Sequence, residues 1–203
     1  VLVAIAIVKS RNKEPFEQFE PMIIKNVLSN EEIEHIKQSA KYSESGTIGK
    51  TENIPDYSHR VSETAWYENN ELIDHLIKQI DPSKDRRYCE KIQVVRYKKG
   101  GFFKPHNDSI NNPHSNFNYD FKHGGHRIYT LLIALSHPHE YEGGETVFPN
   151  LKMQFKLNRG DGILFRNIDE KGNLLSESLH GGNPVLSGEK IICNLWVHVL
   201  PYK

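Results

Sequence analysis

Two hydrophobic rhythms divide this chain of 203 residues. In the first half, apolar positions recur at helical spacing. Ser29 stands three residues before Glu32, where a hydroxyl and a carboxylate can satisfy each other's backbone N–H groups; Leu28 and Ile33 sit where a hydrophobic staple would close, and Ile33, Ile36 and Ala40 continue the stripe. This predicts a helix over about 29–42. A second stripe, Leu72, Ile73, Leu76, Ile77 and Ile80, opens after Asn69 and Asn70 and stops before Pro82. Between the two, Ser43 to Trp66 is polar and bears Gly and Ser, so it reads as a loop or irregular hairpin.

From Glu90 onward the period becomes two. Lys91 to Tyr97, Arg127 to Leu135, Met153 to Leu157, Ile163 to Phe165 and Glu189 to Val199 are short β-branched or aromatic runs parted by Gly, Pro and Asn. The pattern predicts an antiparallel sandwich or barrel. The last run is the most informative. Its odd positions, Ile191, Cys193, Leu195, Val197 and Val199, are all apolar; its even positions, Lys190, Ile192, Asn194, Trp196 and His198, mix charge, amide, indole and imidazole. Such a face points into water or into a cavity, and it is taken here as the wall of a site. Asn107 to Tyr119, long, polar and rich in Asn, reads as an active-site or substrate loop.

Composition narrows the function. The 26 Lys and Arg balance the 26 Asp and Glu, so no net field draws nucleic acid or anionic lipid, and no nucleic-acid partner is expected. Cys89 and Cys193 lack Cys-x-x-Cys spacing, which argues against a structural zinc knuckle and a disulfide scaffold but leaves open whether they are bridged. Val1 to Val8 are uninterrupted apolar, too few to span a bilayer; they read equally as a first strand or as the tail of a removed signal anchor. The first alternative suits a cytoplasmic protein, the second a secretory-route, membrane-anchored one. The length suits one domain over 1–203, with 14–89 as helical support and substrate-loop region and 90–203 as the β core.

The candidate chemistry begins with His106 and Asp108, two residues apart. On an extended chain such a pair points to one side and can meet one metal, given a third ligand. Further on, His180 precedes a Gly-Gly turn, and Lys190 follows it by ten residues. Two imidazoles and a carboxylate form a facial triad that leaves three positions open on octahedral Fe(II), enough for a bidentate keto acid and dioxygen. A Lys deep in a barrel needs an anion, and the distal carboxylate of 2-oxoglutarate would supply one. His123, His126, His137 and His139 lack metal-site spacing and read as solvated loop residues.

Six stretches then stand in a familiar order: Gln93-Val94-Val95-Arg96-Tyr97; Pro105-His106-Asn107-Asp108; Gly125-His126-Arg127-Ile128-Tyr129-Thr130; Glu142-Gly143-Gly144-Glu145-Thr146-Val147-Phe148-Pro149; Gly160-Asp161-Gly162-Ile163-Leu164-Phe165; and Leu179-His180-Gly181-Gly182-Asn183-Pro184-Val185, leading to Lys190 and Trp196. Together they resemble the catalytic domain of prolyl 4-hydroxylases. The resemblance implies a mainly β double-stranded β-helix, or jelly roll, buttressed by N-terminal α-helices. It implies His106, Asp108 and His180 as iron ligands and Lys190 as the partner of the distal carboxylate of 2-oxoglutarate, with Tyr97 and Thr146 bonding the same end. Arg127, Trp196 and His198 match positions near the peptide or the reacting centre, and Arg60 with Ser62 resembles the Arg-x-Ser of a hairpin that closes over the peptide. Phe103 departs from the family, which commonly has Tyr there. The implied activity is hydroxylation of proline in a protein or peptide, coupled to decarboxylation of 2-oxoglutarate to succinate, with Fe(II), O2 and ascorbate. An oxygenase for another side chain or an alkylated base, and a non-catalytic peptide-binding module on the same fold, are the alternatives.

Overall fold

A computed structural model describes residues 20–45, 47–48, 55–109 and 123–202. Val1 to Val8 and most of the Asn107 to Tyr119 segment lie outside the described residues. In chain order the elements are β1 (Met22–Ile24), α1 (Asn30–Ser39), β2 (Ser43–Ser45), β3 (Thr47–Ile48), β4 (Pro55–Asp56), β5 (Arg60–Tyr67), α2 (Asn70–Ile80), β6 (Ile92–Tyr97), β7 (Phe102–His106), β8 (Arg127–Ala134), β9 (Tyr141–Gly143), β10 (Thr146–Phe148), β11 (Met153–Phe155), β12 (Gly162–Arg166), β13 (His180–Gly182), β14 (Val185–Gly188) and β15 (Lys190–His198). No described helix is long and apolar enough to cross a membrane.

The first helix starts where its cap predicts, and the second starts at Asn70, with Asn69 as its cap. Ser29 Oγ accepts from Glu32 N at 3.2 Å, and Ser29 N donates to the Glu32 carboxylate at 2.7 Å. Asn69 Oδ1 accepts from Leu72 N at 3.0 Å. The first helix ends earlier than its apolar stripe suggests, because Ala40 is already extended, with φ −70° and ψ 115°, and leads the chain toward β2.

The main sheet runs β1-β12-β8-β15-β6-β5-β7-β13-β10-β11, with β2 on β5, and its neighbours pair antiparallel. Its bend is at β5. Glu63 to Tyr67 pair with β6, whereas Arg60 and Val61 pair with β7, so one strand passes from one wall to the other. The result is the expected jelly-roll double-stranded β-helix.

Of the two readings of Ser43 to Trp66, loop or irregular hairpin, the structure bears out the hairpin, with β2 pairing antiparallel with β5 and β3 with β4, and β5 as its long strand. Hydrophobic periodicity cannot detect it, because Ser62 and Thr64 are buried polar residues. They are satisfied in a cluster: Ser45 Oγ and Ser62 Oγ lie 2.8 Å apart, and Arg60 donates to Ser62 Oγ and Thr64 Oγ1.

Alternation along β15 divides the interior. Ile191, Cys193, Leu195 and Val197 pack with Ile33, Ile36, Leu72, Leu76 and Ile77 of the helices. Ile192 belongs to a second cluster inside the roll, with Tyr97, Leu132, Phe148, Ile163 and Phe165. The helices thus buttress the outer face and leave the inner one for a site. Val199, expected on the packing face, lies beyond the end of β15 and is 40% exposed. Cys89 and Cys193 are both free and buried.

Candidate active site

A cavity of about 400 Å³ opens within the roll, and Lys190, Ile192, Asn194 and Trp196 form one wall of it. Four of the five even positions of β15 therefore face a cavity, as their chemistry suggests; His198 does not.

His106 ends β7, His180 begins β13, and the two residues are direct partners across the strands. Each imidazole is set the same way. His106 Nδ1 donates to Lys104 O and His180 Nδ1 to Ser178 O, both at 2.8 Å. A carbonyl only accepts, so Nδ1 holds the proton and Nε2 keeps a lone pair for a cation. Asp108 follows in a bend after β7 rather than on the strand itself. Its Oδ1 lies 3.6 Å from His106 Nε2 and its Oδ2 3.7 Å from His180 Nε2. The three ligand atoms lie within 4.8 Å of one another, and among the described residues no other such cluster forms. Burial opposes charge on Asp108, but the neighbouring His180, His106 and Arg127 outweigh it and hold the carboxyl well below the usual carboxylate range. Burial pushes His180 below the usual imidazole range, which favours the neutral, ligating form. Two imidazoles with free lone pairs and one carboxylate suit Fe(II).

Deeper along β15, Lys190 is 5% exposed. Its Nζ donates to Gly144 O at 2.6 Å and Thr146 Oγ1 at 3.2 Å, and lies 5.7 Å from the centre of the Tyr97 ring. Among the described residues it has no ion-pair partner. Burial pulls it down to about 8, with Glu145 opposing. A buried ammonium beside a hydroxyl, with no carboxylate of its own, fits the carboxylate of a bound acid.

Behind the triad lies a polar network. Asp108 Oδ2 accepts from Thr130 Oγ1 at 2.7 Å and Trp196 Nε1 at 2.9 Å. The Arg127 guanidinium lies 3.7 Å over the Trp196 ring and donates to Asp108 O at 3.3 Å and to Glu90 Oε1 at 2.6 Å. The structure does not put His198 in the cavity lining; it stands one layer behind. His198 Nε2 lies 2.9 Å from Glu90 Oε1 and Nδ1 3.0 Å from Gly125 O, both within hydrogen-bond distance. Any influence of His198 on the cavity therefore passes through Glu90 and Arg127.

Phe103 stacks on His106, with ring centres 3.6 Å apart, and Arg60 lies 4.8 Å from the Phe103 ring centre. Tyr97, Thr146, Arg127, Arg60 and Phe103 all line the cavity. Trp66, 53% exposed at the same cavity and 6.3 Å from Trp196, escaped the sequence reading because β5 itself did. Glu90, Asn167 and the role of Thr130 escaped too, for a lone acid, amide or hydroxyl carries no periodic signal. His126 Nδ1 meets Ser109 Oγ, and His137 and His139 stack on each other, so none of these joins the triad.

Comparisons with known proteins point to one family. Residues 92–198 match the model of the 2OG-Fe(II) oxygenase superfamily. A protein of Acanthamoeba polyphaga mimivirus that bears the name of a prolyl 4-hydroxylase is 32% identical, over 87% of this chain and 73% of its own length. Prolyl 4-hydroxylase subunit alpha-2 of Caenorhabditis elegans is 30% identical over 89% of this chain, which spans only 35% of that subunit. Among solved structures, the viral collagen prolyl hydroxylase of Paramecium bursaria Chlorella virus-1, in its 2OG complex, superposes with a TM-score of 0.67 at 31% identity, covering 89% of this chain and 96% of that one.

Proposed function

The chain belongs to the 2OG-Fe(II) oxygenase superfamily, as a dioxygenase of the prolyl 4-hydroxylase type, and from that premise we propose that it hydroxylates proline in a protein or peptide. The observation that carries the reading is the pairing, in one cavity, of a triad with free ligand atoms and a buried ammonium that has no carboxylate partner among the described residues.

His106, Asp108 and His180 would hold Fe(II), and Lys190 with Thr146 would hold the distal carboxylate of 2-oxoglutarate, with Tyr97 beside them. Iron bound there supplies dioxygen activation and C–H oxidation, coupled to decarboxylation of the keto acid to succinate. The protein's part is orientation and exclusion of water. Lys190, Leu132 and Ile192 give the keto acid one charged anchor between apolar walls, so it can lie one way only. Trp196 and Thr130 keep the Asp108 carboxylate turned to the triad. Trp66, Trp196 and Phe103 offer aromatic faces where an extended proline-containing segment can pack, and Arg60 and Arg127 offer donors for its carbonyls. With its phenyl ring stacked on His106, Phe103 serves this chain as an apolar cover for that ligand, a role that needs no hydroxyl. Ascorbate would keep the iron reduced.

Mass spectrometry of proline-rich peptides after incubation with the protein, Fe(II), 2-oxoglutarate and ascorbate, with succinate assayed in parallel, tests the reading. The expected result is one added oxygen localised to proline, and its loss together with succinate when His106, Asp108 or His180 is replaced by Ala. Succinate with oxygen on another residue would move the substrate, whereas turnover surviving any of the three substitutions would refute the metal assignment.

A further inference from the structure

The hydrogen bonds behind Asp108 have a direction that the chemistry of the groups dictates. Asp108 is a carboxylate and can only accept, so the 2.7 Å contact with Thr130 Oγ1 consumes the single hydroxyl proton of Thr130. The 2.9 Å contact between Thr130 Oγ1 and the Asn167 side chain must then be a donation from Asn167 Nδ2, which settles the orientation of that amide. A one-way chain results: Asn167 to Thr130 to Asp108. Every member is buried, and Thr130 and Asn167 are wholly so.

Two further features separate this chain from ordinary core packing. Among the described residues, buried Asn167 Oδ1 has no hydrogen-bond partner, an arrangement that folding alone would select against. The Asn167 backbone is also tied from both sides, its N–H donating to Ile128 O at 2.9 Å and its carbonyl accepting from Leu175 N at 3.0 Å. The amide therefore hangs from a rigid point just past β12 and presents its N–H to Thr130. Meanwhile Trp196 Nε1 occupies the same carboxylate oxygen, Oδ2. Both donors fall on Oδ2, which also lies 3.7 Å from His180 Nε2, and neither falls on Oδ1, which lies 3.6 Å from His106 Nε2.

We propose that Asn167 and Thr130 are positioning residues for the metal centre: together with Trp196 they grip Oδ2 of Asp108, which fixes the carboxylate between the two imidazoles and leaves Oδ1 as the oxygen that neither donor occupies. The inference rests on the triad as a metal site and adds two residues that touch neither metal nor substrate. The unsatisfied Asn167 carbonyl is the structural cost of presenting a donor, rather than an apolar group, to Thr130. Losing the Thr130 hydroxyl frees the carboxylate to rotate, leaves Asn167 Nδ2 without an acceptor, and weakens the site.

The test is a titration of metal-free protein with Co(II), read by absorbance, alongside thermal unfolding of the same metal-free samples. Wild type and the His106→Ala variant are the controls. Thr130→Val and Asn167→Leu, both close in size to the native residues, should each weaken Co(II) binding by about 10- to 100-fold, the usual consequence of removing an outer partner of a ligand. Thr130→Ser, which keeps the hydroxyl, should restore it. Asn167→Leu should unfold no earlier than wild type, since it removes the unsatisfied carbonyl along with the donor. If wild type binds Co(II), His106→Ala does not, and both variants bind as wild type does, the positioning role is refuted while the metal site stands. If Thr130→Val fails to fold, Asn167→Leu and Thr130→Ser decide the matter by the same criterion. Wild type that does not bind would remove the site itself, and this inference with it.

Discussion

Lys190 shows at the scale of one residue how a site can be primed for its ligand. Its ammonium is held by a carbonyl and a hydroxyl in a buried place, and its ordinary value of 10.5 falls to about 8. Without a bound acid the charge therefore opposes folding. Below about pH 8 both folded and unfolded chains carry the proton; between about 8 and 10.5 the unfolded chain keeps a proton that the folded chain has lost. Stability of the ligand-free protein attributable to this group should thus rise with pH across that window, measurable by denaturant unfolding at a series of pH values. Binding should show the opposite trend. The KM for 2-oxoglutarate, followed by succinate release, should climb as pH passes about 8, because only the protonated amine pairs with the acid. Lys190→Ala should raise the same KM at pH 7 by about 10- to 100-fold, the value of roughly 1.5–3 kcal/mol for a hydrogen bond to a charged group.

Among the elements, the pairing of β7 with β13 matters most, since it sets His106 beside His180. The two short strands can approach so closely because of Gly181. A Cβ there would meet Phe103 O at 2.8 Å and Pro105 N at 3.0 Å, both backbone atoms that no rotamer change can move. Gly181→Ala should pry the strands apart, lower stability by about 1–3 kcal/mol and remove metal binding while the helices persist. Circular dichroism melts and a Co(II) titration would check both parts. The β5 strand is the complementary case. It buries the polar Ser62 and Thr64 on one face and Ala65 and Tyr67 on the other, and it reaches both walls of the roll because its two ends pair with different strands.

For the whole molecule, the two apolar clusters divide the labour. The outer one, between the helices and the sheet, contains no residue of the cavity lining. The inner one shares Tyr97, Leu132 and Ile192 with it. Truncating the outer cluster should therefore cost stability and spare chemistry. Ile77→Ala, at a fully buried position, should lower the unfolding free energy by about 2–5 kcal/mol in urea titrations while the KM values for peptide and 2-oxoglutarate stay as in wild type. A marked loss of turnover in the folded variant would mean that the helices shape the cavity as well as support it.

The sequence by itself determined whatever depends on local chemistry and period. A capping box placed the start of the first helix and an apolar stripe placed the second, alternation along β15 separated the packing face from the cavity face, and the ordered motifs around His106, Asp108, His180 and Lys190 pointed to an oxygenase. Tertiary structure alone decided what depends on distant partners. Strand β5 is held by β6 and β7 rather than by its own apolar pattern. Likewise, His198 stands behind the cavity because Glu90, 108 residues away in sequence, binds it there. The chain from Asn167 through Thr130 to Asp108 joins three segments whose residues look ordinary one at a time. A hydrogen bond has a donor and an acceptor, and where these come from separate strands, only the packing of those strands brings them together.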